Sequence, residues 1–397
     1  MRKAIKIFDA FLAVVCAVVL IMVALGNYLM PDNYIVYGGN YNQPSKVYSY
    51  SQSSQTQSVD YQNSTPSRQT LNLLGVIPVK NVTVTNKPLP QVYVSGEAFG
   101  IKLYTDGVIV VGTQNVDVDG KQVNPAKDAG IRVGDVIVAI NNVNVYTSSD
   151  VTEILNDNNG EPYTLKIKRD DRYRTFVLSP AYSKREGLYK AGMWVRDSTA
   201  GIGTITFYNK ESGTFAALGH QVNDVDTNEI MPLLEGEAVG AEVTDVQKGS
   251  TGSTGSLCCE FQDYTIGRLI ENSYCGIYGS YTAVPEKCKA YTVASKQEVK
   301  RGDAKILCTL SGNEIKEYDV KITKINYSSN GEKDIVFKVT DDELISKTGG
   351  IVQGMSGSPI IQNNMLVGAV THVIVNNPEK GYAIFAETML EESNAEK

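Results

Sequence analysis

The sequence predicts a mainly β protein with a small α+β module in its middle. Three observations carry that prediction. Beyond Ser179-Pro180 the chain runs in short apolar segments broken by glycine and serine turns, such as Gly192–Arg196, Gly203–Phe207, Tyr318–Ile322 and Asp334–Val339. Short strands repeated this way suggest a barrel or a pair of barrels. Between Val92 and Arg169, strand patterns are interleaved with two short helical patterns. Finally, 397 residues with a 42% hydrophobic share can fill two or three separate cores at about 150 residues per domain.

The N-terminus is of another kind. Arg2, Lys3 and Lys6 precede Ala10–Gly26, an uncharged apolar run. As a helix it spans about 25 Å, close to the thickness of a bilayer's hydrocarbon. Basic residues before the run and Asp32 after it predict a cytoplasmic N-terminus and an exported remainder. Ala24-Leu25-Gly26 has the small-x-small form of a signal cleavage site, but the run is long for one, so residues 1–30 are expected to be a membrane anchor. Residues 31–70 should form a flexible stalk, since Gly38–Thr70 is rich in Ser, Gln, Asn, Thr and Tyr with no apolar period and has little to bury against its ordering entropy. Segments of that kind are where proteases cut.

Composition removes several function classes. With 37 basic against 44 acidic side chains, the net charge is −7, which argues against a general nucleic-acid binder. The chain has two histidines, His220 and His372, and no H-E-x-x-H helix, so neither a metal site nor any cofactor is expected. After Cys16 come Cys258, Cys259, Cys275, Cys288 and Cys308, an odd number with no C-x-x-C pair. Buried free thiols, or one or two disulfides with a thiol left over, both fit.

Residues 71–182 contain the α+β module. Pro125–Ile131 reads as a short helix with a glycine cap, Val136–Ile140 as a buried strand, Ser149–Leu155 as a capped helix and Tyr163–Arg169 as an alternating strand. The segment Ala126–Asn141, of the form A-x-x-A-G-I-x-x-G-D-x-I-x-x-I-N, resembles the signature of PDZ domains. That resemblance implies a groove in which a peptide adds as an extra strand, its carboxylate held by backbone N–H groups. Gly96, Phe99, Gly100 and Ile101 stand where the carboxylate loop belongs, with glycines that let the backbone turn its N–H groups toward an anion. A PDZ fold acting only as a spacer is the alternative.

Residues 183–397 carry the chemistry. In Gly354-Met355-Ser356-Gly357-Ser358-Pro359 small residues make a tight turn before an apolar strand. A serine there can expose its Oγ while the N–H groups of Gly354 and Ser356 face the oxygen on which charge develops. The segment resembles the G-x-S-G-x-P nucleophile turn of trypsin-like serine peptidases, with Ser356 as nucleophile. Met355 replaces the aspartate that those enzymes use in their zymogen switch.

A serine needs a base. Ala216-Ala217-Leu218-Gly219-His220 puts a histidine at a strand end, whereas alternation along Gly368–Ile374 groups His372 with apolar neighbours. His220 is therefore expected to be the base and His372 a supporting residue. Asp341, before the serine, is the expected orienting carboxylate, with a helix N-terminus as its structural alternative, preferred for Asp342. In a serine–lysine peptidase Lys338 or Lys347 would replace the histidine; in a tethered scaffold the β domain would be inert.

The anchor, the PDZ-like module, Leu218–His220, Thr348–Ile361 and Gly368–Val373 together resemble the SpoIVB peptidase family of endospore-forming bacteria. The resemblance implies a trypsin-like peptidase domain with His220 as base, Ser356 as nucleophile and Asp341 as orienter. It implies a forespore protein that crosses the inner membrane into the space between the two membranes and releases itself by cleavage near its N-terminus. It further implies that the enzyme then cuts a membrane-bound inhibitor of the intramembrane protease that activates the late mother-cell sigma factor. Asp341 departs from the trypsin-like pattern in one respect, since those enzymes draw this aspartate from the first barrel, beside the histidine.

Overall fold

The computed structural model describes residues 2–30, 32–37, 47–50, 66–87, 90–157, 160–327 and 331–395. It divides into two compact units, Met1–Pro90 and Gln91–Lys397.

In the first unit, the helix Arg2–Leu29 contains Phe8–Leu29, long and apolar enough to cross a membrane. Strand Ile77–Lys87 pairs in parallel with Asn33–Tyr37 and antiparallel with Pro66–Leu73, which also pairs with Tyr48–Tyr50. Leu71, Leu73, Val82 and Val84 are buried between these elements, with Val19, Met22 and Val23 packed against them. This corrects the expected stalk in three stretches. Residues 33–37, 48–50 and 66–70 are strands, because alternation through Leu71 and Leu73 gives the hairpin a face to bury. Of the rest of that expectation, 31, 38–46 and 51–65 fall outside the described residues.

The second unit contains two closed barrels, each traceable as a ring of pairings among the described residues. The first ring runs from Ala98–Thr113 to Met193–Asn209, Thr214–Ala217, Gly276–Tyr281, Ser256–Ser273 and Leu233–Gln247, and back to the start. It encloses Phe99, Ile101, Ile205, Phe215, Leu218 and Leu269. The second runs from Gly302–Thr309 to Ile315–Ile325, Ile335–Val339, Lys380–Phe385, Met365–Val373 and Pro359–Gln362, and closes on the first of these. Its core includes Ile306, Val320, Phe337, Val370 and Phe385. Closure leaves no strand edge in either ring. The cysteines are all free.

The α+β module does not precede the peptidase barrel, as the sequence suggested. It is inserted into the barrel's first hairpin. Strands Ala98–Thr113 and Met193–Asn209 pair along both of their halves, with a break between Arg196 and Ser198. Before the break, Val108–Thr113 and Met193–Arg196 belong to the module; after it, Ala98–Tyr104 and Ser198–Thr204 belong to the barrel. Thr105 donates to Asp197 O at 3.0 Å across the junction, and the Asp197 carboxylate accepts from Ser148 N and Oγ at 2.7 and 2.9 Å. The helix Ser148–Asn156 opens on a Thr147–Asp150 capping box.

The insertion also corrects the expected carboxylate loop. Gly96 donates its N–H to Ile205 O at 2.9 Å. Phe99, Gly100 and Ile101 pair with Gly203, Ile202 and Gly201 on one side and with Gly240, Val239 and Ala238 on the other. Phe99 is fully buried, edge-on to Phe215. A strand bonded along both edges has no backbone groups left to take a peptide terminus, so these residues build the first barrel.

Candidate active site

The turn Gly354–Ser358 belongs to the second barrel but is stitched to the first. Thr204 donates its N–H to Ser356 O at 2.8 Å, and its Oγ1 to Gly354 O at 2.8 Å. Thr206 Oγ1 donates to Gly357 O at 2.7 Å. Gly354 and Gly357 take φ of +97° and +96°, and a Cβ at Gly357 would lie 1.9 Å from Thr204 O. Both glycines are therefore demanded by backbone conformation, and Gly357 also by close approach. Met355 and Ser358 point into the interior, fully buried. Among the described residues, the N–H groups of Gly354 and Ser356 donate no hydrogen bond, whereas Met355, Gly357 and Ser358 all do. Two unengaged N–H groups around a serine are the donors that an oxyanion hole needs.

His220 arrives from the other barrel. The buried strand Thr214–Ala217 ends in Leu218 and Gly219, both left-handed at φ +67° and +72°. A leucine in that region is strained; its burial at 3% exposure within the first core holds it there. The two residues turn the chain out of the strand, and His220 follows. Nδ1 of His220 lies 2.8 Å from Gln221 O. A carbonyl can only accept, so Nδ1 carries the proton and Nε2 is left as the basic nitrogen. The loop beyond is fixed by Asn272, which bonds Val222 N and O and Met231 O at 2.8–2.9 Å. Buried Asp224 pairs with Arg196, which also reaches Asp226 at 2.7 Å.

His220 and Ser356 line one cavity of about 770 Å³, together with Gly354, Thr371, His372 and Glu332. The His220 and His372 rings lie 4.7 Å apart at 43°. Ser356 Oγ donates to Thr371 O at 2.8 Å, so in this state the hydroxyl is turned onto the backbone. Burial lowers the pKa of His220, partly offset by the Gln221 carbonyl and by the Glu332 charge. His372 is pulled down to about 4, by burial first and then by His220 and Lys333. Both rings are therefore neutral at neutral pH, which is the form a base requires.

Asp341 does not line this cavity. It is the N-cap of the helix Asp342–Thr348: Oδ1 accepts from Leu344 N at 3.0 Å and Oδ2 from Asp319 N at 3.3 Å. Its sequence setting ahead of Asp342-Glu343-Leu344 fits a cap as well as a catalytic group, and in this structure its carboxylate makes the capping contacts. Lys338 and Lys347 are also outside the cavity, paired with Glu379 and Glu343. Asp341→Ala should cost about 1 kcal/mol as a lost N-cap and leave peptidase activity within a few-fold of wild type, measured by urea unfolding and by turnover. A folded Asp341→Ala protein without activity would return Asp341 to the catalytic group. Glu332, which sequence reasoning missed, sits in a charged turn, Gly331-Glu332-Lys333-Asp334, with no motif to single it out.

The profile of the SpoIVB peptidase S55 family matches residues 187–390, over half of the chain, and a PDZ domain profile matches residues 121–169. The chain belongs to the SpoIVB peptidase S55 family. It carries an S55 peptidase domain and a PDZ domain. The S55 match begins after Ala98–Thr113, so it omits a strand that the first barrel cannot close without. A Clostridium acetobutylicum protein named as a zinc metalloprotease is 39% identical over 70 residues, which is 18% of this chain and 21% of that protein's length. Two crystal structures of Rv3671c from M. tuberculosis are also similar. The inactive serine-to-alanine mutant has a TM-score of 0.28 and 14% identity, over 49% of this chain and 82% of that one. The active form has a TM-score of 0.26 and 16% identity, over 41% and 74%.

Proposed function

We propose that this S55 peptidase is the self-releasing signalling protease of sporulation, with Ser356 as nucleophile and His220 as general base. The observation that carries this reading is the single cavity lined by Ser356 from one barrel and His220 from the other. As substrate enters, the Ser356 hydroxyl leaves Thr371 O and turns to Nε2 of His220. Oγ attacks the scissile carbonyl while its proton passes to Nε2. The oxyanion accepts from the N–H groups of Gly354 and Ser356, and the imidazolium then protonates the leaving amine. The Gln221 carbonyl keeps His220 in the productive tautomer, a role often held by a carboxylate.

The remaining parts of the reading follow the family. The helix within residues 1–30 anchors the chain in the forespore membrane, with the catalytic unit in the space between the forespore and mother-cell membranes. Self-cleavage falls within residues 31–70 and frees the enzyme, which then cuts the membrane-bound regulator of the intramembrane protease that activates the late mother-cell sigma factor. The PDZ module supplies a peptide-docking surface elsewhere than at Gly96–Ile101. The test is the N-terminus of the mature protein from sporulating cells, wild type and Ser356→Ala side by side. A shortened wild type and an intact variant are expected. The same processed N-terminus in both would remove self-cleavage from the account.

A further inference from the structure

In the first unit, the hairpin of Pro66–Leu73 and Ile77–Lys87 runs beside the apolar helix with its tip toward the helix N-terminus. Three contacts fix that direction. Thr83 donates its N–H to Asp32 O at 2.8 Å, just past the end of the helix. Lys80 Nζ donates to Asn27 O at 3.3 Å, to Asp32 Oδ1 at 2.7 Å and to Met30 O. Tyr48, the strand partner of Leu73, donates its hydroxyl to Met22 O at 2.7 Å, and a Cβ at Gly26 would lie 2.5 Å from the Tyr48 ring. From Lys80 back to Val76 a strand covers about 13 Å, the length of about nine helical residues. The tip therefore stands beside the helical turn of Met22.

Nothing inside the protein asks for an apolar tip. Residues 71–79 carry no charge. Leu74 and Gly75 take φ of +53° and +77°, and Val76 donates its N–H to Leu73 O at 3.2 Å, which closes a tight turn. A hairpin turn with two left-handed positions favours Asn-Gly, and this chain has Leu-Gly. Leu71 and Leu73 are fully buried, but Leu74 is 63% and Val76 77% exposed. The N–H of Leu74 is also engaged, by Val47 O at 2.7 Å, so the turn can leave water with both of these donors bonded. Tyr28, 87% exposed near the end of the apolar span Phe8–Leu29, suits the membrane–water interface. With the interface there, the tip lies about 9 Å deeper, at the boundary of headgroups and acyl chains.

We propose that the hairpin tip is a second membrane contact, with Leu74 and Val76 entering the exported-side leaflet beside the anchor helix. This rests on the reading of that helix as a membrane span. The occupant is lipid because the helix on which the hairpin packs brings the bilayer to it. The contact changes what self-cleavage achieves. A cut within residues 38–65 leaves the hairpin on the catalytic side, still packed on Val19, Met22 and Val23 and still in lipid. The enzyme is freed only when the hairpin also lets go.

The test uses the full chain in vesicles of phosphatidylglycerol and phosphatidylethanolamine, with Ser356→Ala to prevent self-cleavage. Trp194→Phe removes the one native tryptophan, and a reporter is placed by Leu74→Trp, Leu12→Trp or Asn81→Trp. Lipids brominated on their acyl chains should quench the first two and spare the third. Quenching of Leu12→Trp without Leu74→Trp overturns the proposal and leaves the anchor standing; quenching of neither sinks the anchor with it. In a second arm, Trp194 is kept and a recognition site for an added protease is placed within residues 51–65. After the cut, the fragment with the native tip should float with the vesicles. Leu74→Asn with Val76→Thr suits the turn and should weaken that partitioning by about 100-fold. Equal partitioning of the two fragments would overturn the proposal.

Discussion

Gly357→Ala should destabilise the catalytic unit by about 3 kcal/mol or more. Two penalties meet at that position. The backbone stands at φ +96°, where an L side chain is strained, and the added Cβ would lie 1.9 Å from Thr204 O and 2.6 Å from Leu218 N. Neither neighbour is the tip of a flexible side chain. Thr204 sits in a barrel strand and bonds the turn at Ser356 O and Gly354 O, and Leu218 opens the turn to His220. Room for the methyl must come from parting the two barrels where the Ser356 turn packs on Thr204 and Leu218. A lowered urea midpoint should therefore be accompanied by lost activity. A midpoint equal to that of wild type would mean that the turn is not packed between the barrels as described.

The shape of the turn Gly354–Ser358 was legible in the sequence because its constraints are local. Gly354, Ser356 and Gly357 must lie adjacent in the chain to form it, and a histidine at a strand end needs only its own turn to be recognised. Strand alternation likewise put His220 ahead of His372 as the base we propose. The same alternation kept His372 near the site without showing what it touches, since its ring contact with His220 joins two barrels.

Long-range pairing was not legible. Residues 96–101 look like a PDZ loop in isolation. Only the pairing of Ala98–Tyr104 with Ser198–Thr204 and with strand Leu233–Gln247 reveals them as barrel. The insertion of the PDZ module into a hairpin is invisible for the same reason: two strands far apart in sequence continue through both structures. Asp341 and Glu332 show how a carboxylate's role depends on what surrounds it. One stands in a motif and caps a helix; the other stands in an unremarkable turn and faces the cavity.

His220→Ala and Ser356→Ala should each lower turnover by about 10⁴-fold or more while leaving the unfolding midpoint close to wild type. Ser356 is half-buried at the cavity wall, and His220 ends a turn whose shape is set by Leu218 and Gly219. Neither side chain fills a core. The double variant should be no worse than either single one, because a nucleophile and its base act as one unit. Additive losses would mean that the two residues serve separate steps.

The most direct measurement of this pairing is fluorophosphonate labelling of the full chain at neutral pH, with the modified residue identified in wild type, His220→Ala and Ser356→Ala. Labelling of wild type at Ser356, a slow reaction in His220→Ala and none in Ser356→Ala is the expected result. Equal labelling of wild type and Ser356→Ala, or an unchanged rate in His220→Ala, would contradict a serine nucleophile activated across the two barrels.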